Sequence, residues 1–213
     1  MEGQQAYWDR VADEKAFTHP LDHDWLDRFV DRQARVLDYG CGYGRSLREL
    51  AGLGYENTRG IDFSARMIKR ARRDAPDMSF GLVEDFPFSA EAGRFDAVLL
   101  MAVLTCVADD RAQRDLIAAL YGLLRPGGLL YLSDMPLQTD ARNLARYAEG
   151  ERRFGDYGVF QTEDGAIMRH HDERRLGDLL EAFETVADRS VPIFTLNGHP
   201  ATAVQILARR PSA

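Results

Sequence analysis

A cluster of glycines directly behind a short apolar run is the first feature of this sequence with chemical meaning. Residues 36–45 read VLDYGCGYGR, so glycines occupy positions 40, 42 and 44, and Asp38 precedes them. Glycine is unfavourable inside regular elements, so the cluster indicates a tight turn or a close approach of the backbone to a ligand. Between a strand and a helix, such a turn presents backbone N–H groups that favour anionic or polar ligand groups.

Two other kinds of glycine-rich turn fit this segment less well. A phosphate-binding loop ends in Gly-Lys-Ser/Thr, whereas Gly44 is followed by Arg45 and Ser46. A dinucleotide fingerprint, Gly-x-Gly-x-x-Gly counted from Gly40, would need a glycine in place of Arg45. The pattern Gly-x-Gly-x-Gly behind an acidic residue remains, with a purely structural turn as its alternative.

A second acidic residue, Asp62, follows Gly44 by 18 residues in the segment GIDFS. An acid at the carboxyl end of the next strand can accept hydrogen bonds from both hydroxyls of a ribose seated over the glycine turn. An isolated aspartate would more simply be a solvated loop residue. The joint spacing of the turn and the acid favours a nucleoside ligand.

These residues require a framework of alternating strands and helices to position them. Apolar strands are predicted at 35–39, 58–62, 78–83, 95–104 and 129–134, and helices at 43–54, 64–76 and 111–124. The alternation predicts a parallel sheet with helices on both faces. A further helix at 174–183 precedes two strands at 185–194 and 202–210, which an Asn-Gly turn joins into an antiparallel closing hairpin.

Two segments lie outside this alternation. Residues 1–34 are polar with scattered aromatic side chains, and residues 136–172 are polar with weak periodicity. We expect one domain over residues 1–213, in which residues 1–34 form an N-terminal helical lid and residues 136–172 form an insertion that caps the substrate. Both should lie above the carboxyl ends of the strands, where ligands bind in such sheets.

Composition limits the partners of the chain. The formal net charge is −7, from 27 Lys and Arg against 34 Asp and Glu, which argues against a nucleic-acid partner. The two cysteines show no metal spacing and indicate reduced thiols. No apolar run reaches membrane-spanning length and the first residues lack a signal pattern, which predicts a cytoplasmic location without a membrane partner. We expect a monomer or a homodimer.

Four segments in this order and at these spacings resemble the class I S-adenosylmethionine-dependent methyltransferases. They are VLDYGCGYGR, GIDFS, FDAVLLMAVLTCV and LLRPGGLLYLSD, and the resemblance covers roughly residues 35–134. It implies an α/β fold with a Rossmann-like, seven-stranded, mostly parallel sheet, helices on both faces and an antiparallel C-terminal strand. It also implies S-adenosyl-L-methionine as the cofactor.

The resemblance implies residue roles around the amino-acid end of that cofactor. Asp38 would order the glycine turn and this end of the cofactor, and Gly40, Cys41 and Gly42 would line it. Met101, at the end of the fourth strand, would offer its backbone carbonyl to the cofactor ammonium. All five positions follow the family pattern in this sequence.

At the nucleoside end, the resemblance implies that Asp62 holds the ribose hydroxyls and that Phe63 lies against the adenine. The family often has an acid for the adenine amino group five residues before the proline of a Leu-Pro-Phe-like segment. This chain has a leucine at that position, before a Phe-Pro-Phe segment. Either the backbone of Val83 alone recognises adenine, or Glu84 or Asp85 replaces the acid, and of these two Asp85 is favoured.

The acceptor side offers three candidate catalytic residues. His170 and His171 in MRHHDE are candidate bases or substrate contacts. If this stretch is extended, at most one of them would face the site, because adjacent strand residues point to opposite faces. Surface histidines are the alternative, and no partner residues are spaced for a metal. Tyr7 and Trp8 could pack by the sulfonium, which an aromatic face attracts, or could anchor the segment on the core.

The acceptor class follows from charge and size. The acidic chain and short insertion favour a small-molecule acceptor methylated at O, N or C. The alternatives are a nucleic-acid or protein methyltransferase and a protein that binds the cofactor without methylating. Arg142 and Arg146 stand at helical spacing and could meet an acidic substrate group, although a solvated helix face is the favoured interpretation.

Overall fold

The computed structural model describes residues 2–212 and contains a seven-stranded sheet and a separate two-stranded hairpin. The seven strands of the large sheet are β1 (Val36–Tyr39), β2 (Thr58–Asp62), β3 (Ser79–Leu82), β4 (Phe95–Met101), β5 (Leu124–Asp134), β8 (Glu184–Phe194) and β9 (Pro200–Arg209). The hairpin consists of β6 (Val159–Gln161) and β7 (Ile167–Arg169).

Within residues 2–212, seven α-helices connect or flank these strands. They are α1 (Glu2–Val11), α2 (His23–Phe29), α3 (Arg45–Gly52), α4 (Ala65–Asp74), α5 (Asp110–Leu123), α6 (Ala141–Phe154) and α7 (Glu173–Leu179). Side chains cap several of them, as at Ser64, whose hydroxyl accepts from the N–H of Met67 at 3.1 Å. Asp109, Asp140 and Asp172 cap α5, α6 and α7 in the same way.

The strand order β3-β2-β1-β4-β5-β9-β8 brings the functional segments together. Strands β1 to β5 are parallel, and β9 runs antiparallel to both β5 and β8. In the register of the sheet, Asp38 on β1 lies between Gly60 on β2 and Leu99 on β4. The carboxyl ends of β1, β2 and β4 therefore meet at one edge, and the predicted Rossmann-like fold is confirmed.

Both faces of the sheet are buried, because successive side chains of a strand point to opposite sides. On one face, Leu37 and Leu100 belong to a core that includes Leu120 of α5 and Leu176 of α7. On the other face, the core contains Val36, Leu99, Tyr131 and Leu207 of the sheet, with Leu26 of α2 and Leu50 of α3. These two cores fix the sheet edge that carries the glycine turn.

Several element bounds differ from the predicted ones, and the largest differences concern β5, α7 and β4, which ends at Met101 rather than at residue 104. The Arg-Pro-Gly-Gly segment at 125–128, expected as a stop between α5 and the next strand, lies inside β5, which already begins at Leu124. The strand can start early because Leu124 pairs with Phe95 across an irregularity in the β4–β5 register. Helix α7 ends at Leu179, four residues before its predicted end.

The two segments outside the alternation have distinct structures. Residues 136–172 form α6 followed by the β6–β7 hairpin, and these two elements pack on each other. The roles of residues 1–34 as a lid and of residues 136–172 as a cap stay predictions.

Within residues 2–212, no helix is both long and apolar enough to cross a membrane.

A glycine inside α6 gives a stability test of the insertion. A Cβ atom on the buried Gly150 would lie 1.8 Å from the carbonyl oxygen of Val159, whereas nothing lies within 4 Å of a Cβ on Gly122 in α5. Gly150→Ala should therefore destabilise the protein by roughly 1–3 kcal/mol through overpacking. Gly122→Ala should stabilise it by up to about 1 kcal/mol through helix propensity. Urea unfolding of both variants checks this, and equal shifts in the same direction would contradict the packing of α6 on β6.

Candidate functional site

A large cavity opens at the carboxyl edge of the sheet. Its floor is the region where β1, β2 and β4 end, and its walls come from α1, the β6–β7 hairpin and the β8–β9 turn. The empty space within it, including open solvent at its mouth, is about 1350 Å³. This is the edge at which ligands bind in open parallel sheets.

The glycine turn forms one side of the floor. Gly40, Gly42 and Gly44 have φ angles of 74°, 54° and 77°, a region that other residues rarely adopt. A Cβ on Gly42 would lie 2.0 Å from the ring of Phe17, so the missing side chain makes room for this aromatic. Gly40 lines the cavity, whereas Gly42 is not among its lining residues.

Asp38 is a buried carboxylate without a full set of partners. It is 1% exposed, it lines the cavity, and its Oδ2 atom has no hydrogen-bond partner among the described residues. Burial raises the pKa of Asp38 to about 7, because it outweighs the opposite effect of the nearby Arg45 guanidinium, which lowers this pKa. A buried acceptor in this state matches a ligand that carries hydrogen-bond donors or positive charge.

Asp62 holds the glycine turn in place. Its Oδ2 accepts from the N–H of Gly42 at 2.9 Å and its Oδ1 from the N–H of Ser64 at 2.8 Å. Burial raises the pKa of Asp62 to about 6 despite these hydrogen bonds. The family resemblance implies that Asp38 orders the glycine turn. In this structure, the carboxylate that accepts a hydrogen bond from the turn is that of Asp62.

Three further residues that the resemblance selects line the same cavity. They are Phe63, Val83 and Met101, of which Phe63 is the most exposed at 37%. Ala102, directly after Met101, has a φ of 56°, and such backbone strain in a residue other than glycine clusters at functional sites.

The thiol of Cys41 and the carboxylate of Asp85 lie differently. Cys41 borders the cavity but is buried in a core cluster with Leu47, Ile68 and Phe80, where burial raises the pKa of its thiol. Asp85 is exposed and is not among the lining residues.

Tyr7 and Trp8 line the cavity from α1, with their rings 5.1 Å apart in an edge-to-face arrangement. The Tyr7 hydroxyl donates to Asp164 at 2.8 Å, and the Lys15 ammonium lies 2.7 Å from the same carboxylate oxygen. Burial opposes the charge of Asp164, but hydrogen bonds from Lys15, Thr162 and Tyr7 lower its pKa to about 2. The N-terminal segment and the hairpin are thereby joined across the cavity.

His170 lies in the cavity wall as a neutral ring. It is 5% exposed, its Nδ1 is 2.6 Å from the Tyr147 hydroxyl and its Nε2 is 3.5 Å from the Arg146 guanidinium. Burial, aided by the charge of Arg146, holds the pKa of His170 well below its usual range. Since a guanidinium only donates, the Arg146 contact assigns the lone pair to Nε2 and the proton to Nδ1.

His171 lies outside the cavity and is fully buried. Its Nε2 is 2.8 Å from the side-chain nitrogen of Gln113, which must donate, and its Nδ1 is 3.3 Å from the carbonyl oxygen of Met135. Burial lowers the pKa of His171 to about 4. Both histidines follow the end of β7 at Arg169, and of the two it is His170 that borders the cavity.

One lining residue was not selected from the sequence. His19, in the segment between α1 and α2, lies 2.8 Å from the Ser133 hydroxyl, and burial lowers its pKa to about 4. No periodicity marks that segment. Arg142 and Arg146, for which a solvated helix face is the favoured interpretation of the sequence, also line the cavity, and Arg142 is exposed as well.

No group of three or more His, Cys, Asp and Glu side chains in residues 2–212 is arranged to hold a metal ion. The polar groups at the strand ends are instead carboxylates and backbone amides, which suit hydroxyl and ammonium groups. The orphaned oxygen of Asp38 and the close-packed glycine turn fit the amino-acid and ribose parts of S-adenosylmethionine.

Comparisons with known proteins agree with this fit. A family model described as a methyltransferase domain matches residues 10–185. The ubiquinone biosynthesis O-methyltransferase of Xanthomonas oryzae pv. oryzae is 35% identical over 138 residues, which are 61% of this chain and 56% of that protein. The ribosomal protein L11 methyltransferase of Burkholderia thailandensis is 29% identical over 157 residues, 70% of this chain and 48% of that protein. The chain spans about half the length of these curated relatives.

A solved structure has the same fold. The S-adenosylmethionine-dependent methyltransferase of Methanosarcina mazei superposes with a TM-score of 0.82 at 24% identity, over 88% of this chain and 97% of that one. Together with the family model, which spans most of the sequence, the strand order and the glycine turn lead to one assignment. The chain belongs to the methyltransferase-domain family and has the class I S-adenosylmethionine-dependent methyltransferase fold.

Proposed function

We propose that the protein transfers a methyl group from S-adenosylmethionine to an O, N or C nucleophile of a small molecule. The observation that carries this proposal is the pair of buried carboxylates, Asp38 and Asp62, at adjacent strand ends beside a glycine turn with positive φ angles. Asp38 on β1 has an oxygen without a partner, and Asp62 on β2 accepts from the glycine turn. The two carboxylates can therefore contact the two ends of one ligand.

The residues divide the binding of the cofactor between them. Asp62 would accept from the ribose hydroxyls, and Asp38, with Gly40 and the Met101 carbonyl, would hold the amino-acid end. When bound, S-adenosylmethionine supplies an activated methyl group on a positively charged sulfur. The protein then needs mainly to orient the acceptor, which contributes roughly 7–11 kcal/mol in favourable cases.

Exclusion of water is the second task of the protein. The hydrogen bond from Tyr7 to Asp164 and the ion pair from Lys15 to Asp164 hold α1 against the hairpin. Removing water from the cavity strengthens the electrostatic interactions inside it. These contacts support the roles of residues 1–34 as a lid and of residues 136–172 as a cap.

His170 is the residue we propose as a general base, if the acceptor must lose a proton. Its Nε2 carries the lone pair in the tautomer that the Arg146 contact requires. The side chain of His171 is engaged by Gln113 and the carbonyl of Met135, which leaves it no comparable role. For the adenine, the backbone of Val83 is the better supported partner, because Asp85 is exposed.

Incubation with methyl-labelled S-adenosylmethionine and a cell extract tests the function. We expect label in the small-molecule filtrate, because the cavity is walled by the lid and the cap. Label in the protein or nucleic-acid fraction, removable by protease or nuclease, would contradict the small-molecule acceptor. Binding of the cofactor without label in any fraction would contradict methyl transfer itself.

Removal of the carboxylate of Asp62 should weaken cofactor binding. Asp62→Ala leaves the N–H of Gly42 and the ribose hydroxyls without an acceptor, and should cost about 1–3 kcal/mol in the affinity for S-adenosylhomocysteine. Calorimetric titration measures this, with Asp77→Ala, a change at an exposed residue after α4, as the matched control. Equal affinities of both variants would remove Asp62 from the site.

The raised pKa of Asp38 predicts how stability depends on pH. The folded protein keeps this proton up to about pH 7, whereas the unfolded chain loses it near its ordinary pKa of 3.8, so stability falls as pH rises through that window. Asp38→Asn should remove this part of the fall, at most about 4 kcal/mol. Urea unfolding at both ends of the window, with Asp77→Asn as control, checks it. An unchanged pH slope would contradict a buried, unpaired carboxylate.

Replacement of His170 should affect transfer more than cofactor binding. If it acts as a base, His170→Gln should lower the rate of label transfer by roughly 10²–10⁴-fold while the affinity for S-adenosylhomocysteine stays unchanged. His171→Gln should instead lower the melting temperature, because it disturbs a buried pair with Gln113. A wild-type transfer rate in the His170 variant would refute its role as a base.

A further inference from the structure

The charges that line the cavity are divided between its two halves. Among the described residues, the carboxylates in its wall are Asp38 and Asp62, both at the strand ends where we place the cofactor. The half beneath the insertion is lined by two arginines of α6, Arg142 and Arg146, and by no carboxylate. Arg142 is exposed and its Nε lies 4.0 Å from Asp140, so the charge in this half that lacks an acidic partner at that distance is the one on Arg146.

Arg146 lies in this half without an acidic partner. Within residues 2–212, no carboxylate oxygen lies within 4.0 Å of its guanidinium, although the charge of Asp140 acts on it from farther away. Its Nε is buried and has no hydrogen-bond partner in the same residues. Its polar contact is the long one to His170, at 3.5 Å. Burial lowers the pKa of Arg146, which reflects the loss of water around the charge.

By contrast, three other arginines with buried or half-buried side chains have acidic partners within 3.0 Å. Arg169 contacts Asp110 at 2.6 Å and Asp156 at 2.7 Å, and Arg175 contacts Asp110 at 2.6 Å. Arg45, on the cofactor side of the same cavity, lies 3.0 Å from Glu49. Since a desolvated charge is costly unless it is paired, the cation of Arg146 calls for an anion from outside the chain.

The aromatic neighbour of Arg146 fixes which part of it a ligand can reach. The guanidinium carbon lies 3.6 Å from the ring centroid of Phe160, so one face of the plane is covered by the ring. Besides the long contact to His170, no hydrogen bond of its terminal N–H groups is found among the described residues, and such N–H groups match the oxygens of a carboxylate. The apolar side chains nearby would contact an apolar ligand body, and they are Met135, Met168, Ile193 and Leu196.

We propose that the methyl acceptor is an anionic small molecule with an apolar body, and that its carboxylate pairs with Arg146. This inference rests on the proposed function, since it names the acceptor class of the same site. Arg146 is then the residue that selects substrates by charge, and His170 beside it, a neutral ring, does not repel its cation.

Calorimetric titration of the protein loaded with S-adenosylhomocysteine tests this with matched probes. The pairs are benzoate with benzamide and hexanoate with hexanamide, and phenyl phosphate is a separate probe for phosphate. We expect at least one carboxylate to bind about tenfold or more tightly than its amide. Arg146→Met should reduce the carboxylate to the affinity of the amide, and Arg146→Lys should restore part of it.

Control variants separate this inference from the proposed function. Arg152→Met changes an exposed arginine of the same helix that is paired with Glu149, and should leave carboxylate binding unchanged. The affinity for S-adenosylhomocysteine should be equal in the wild type and in Arg146→Met. If the wild type does not bind S-adenosylhomocysteine, the proposed function is overturned. If it binds S-adenosylhomocysteine but does not bind either carboxylate more tightly than its amide, only the proposed acceptor class is overturned. Tighter binding of phenyl phosphate than of both carboxylates would also overturn the carboxylate assignment.

Discussion

The buried carboxylate of Asp38 is the constraint on which the site depends. The chain removes this acid from water at the end of β1 and leaves one of its oxygens without a partner. Such a group costs free energy in the folded protein until a ligand donates to it. The neighbouring acid, Asp62, is held by two backbone N–H groups, so the pair is fixed before any ligand arrives.

The roof of the cavity supplies the opposite charge and the closure. Asp164, at the hairpin, joins α1 through Tyr7 and Lys15, and α6 brings Arg146 over the ring of Phe160. The packing of α6 on the hairpin, with Gly150 against Val159, sets the position of this arginine. An acidic floor and a basic roof therefore face each other across one cavity, and each end suits a different ligand group.

Much of the frame and of the floor follows from local sequence, because glycine spacing and apolar alternation act over a few residues. The strand that ends at Asp62 has its predicted bounds, and the residues Asp38, Gly40, Phe63, Val83 and Met101 line the cavity. The roof depends on long-range packing, which periodicity does not report. Helical spacing could not tell whether Arg146 faces solvent or the cavity, and nothing in the aperiodic segment around His19 marked it for the wall.

The most direct test of this account is parallel calorimetric titration of the unmodified protein with S-adenosylmethionine, S-adenosylhomocysteine and NAD. The carboxylates at the ends of β1 and β2 suit an amino-acid end and a single ribose, and the glycine turn lacks the third glycine of a dinucleotide site. We expect S-adenosylmethionine and S-adenosylhomocysteine to bind in the micromolar range, and we expect no measurable binding of NAD. Binding of NAD alone, or of none of the three, would contradict it.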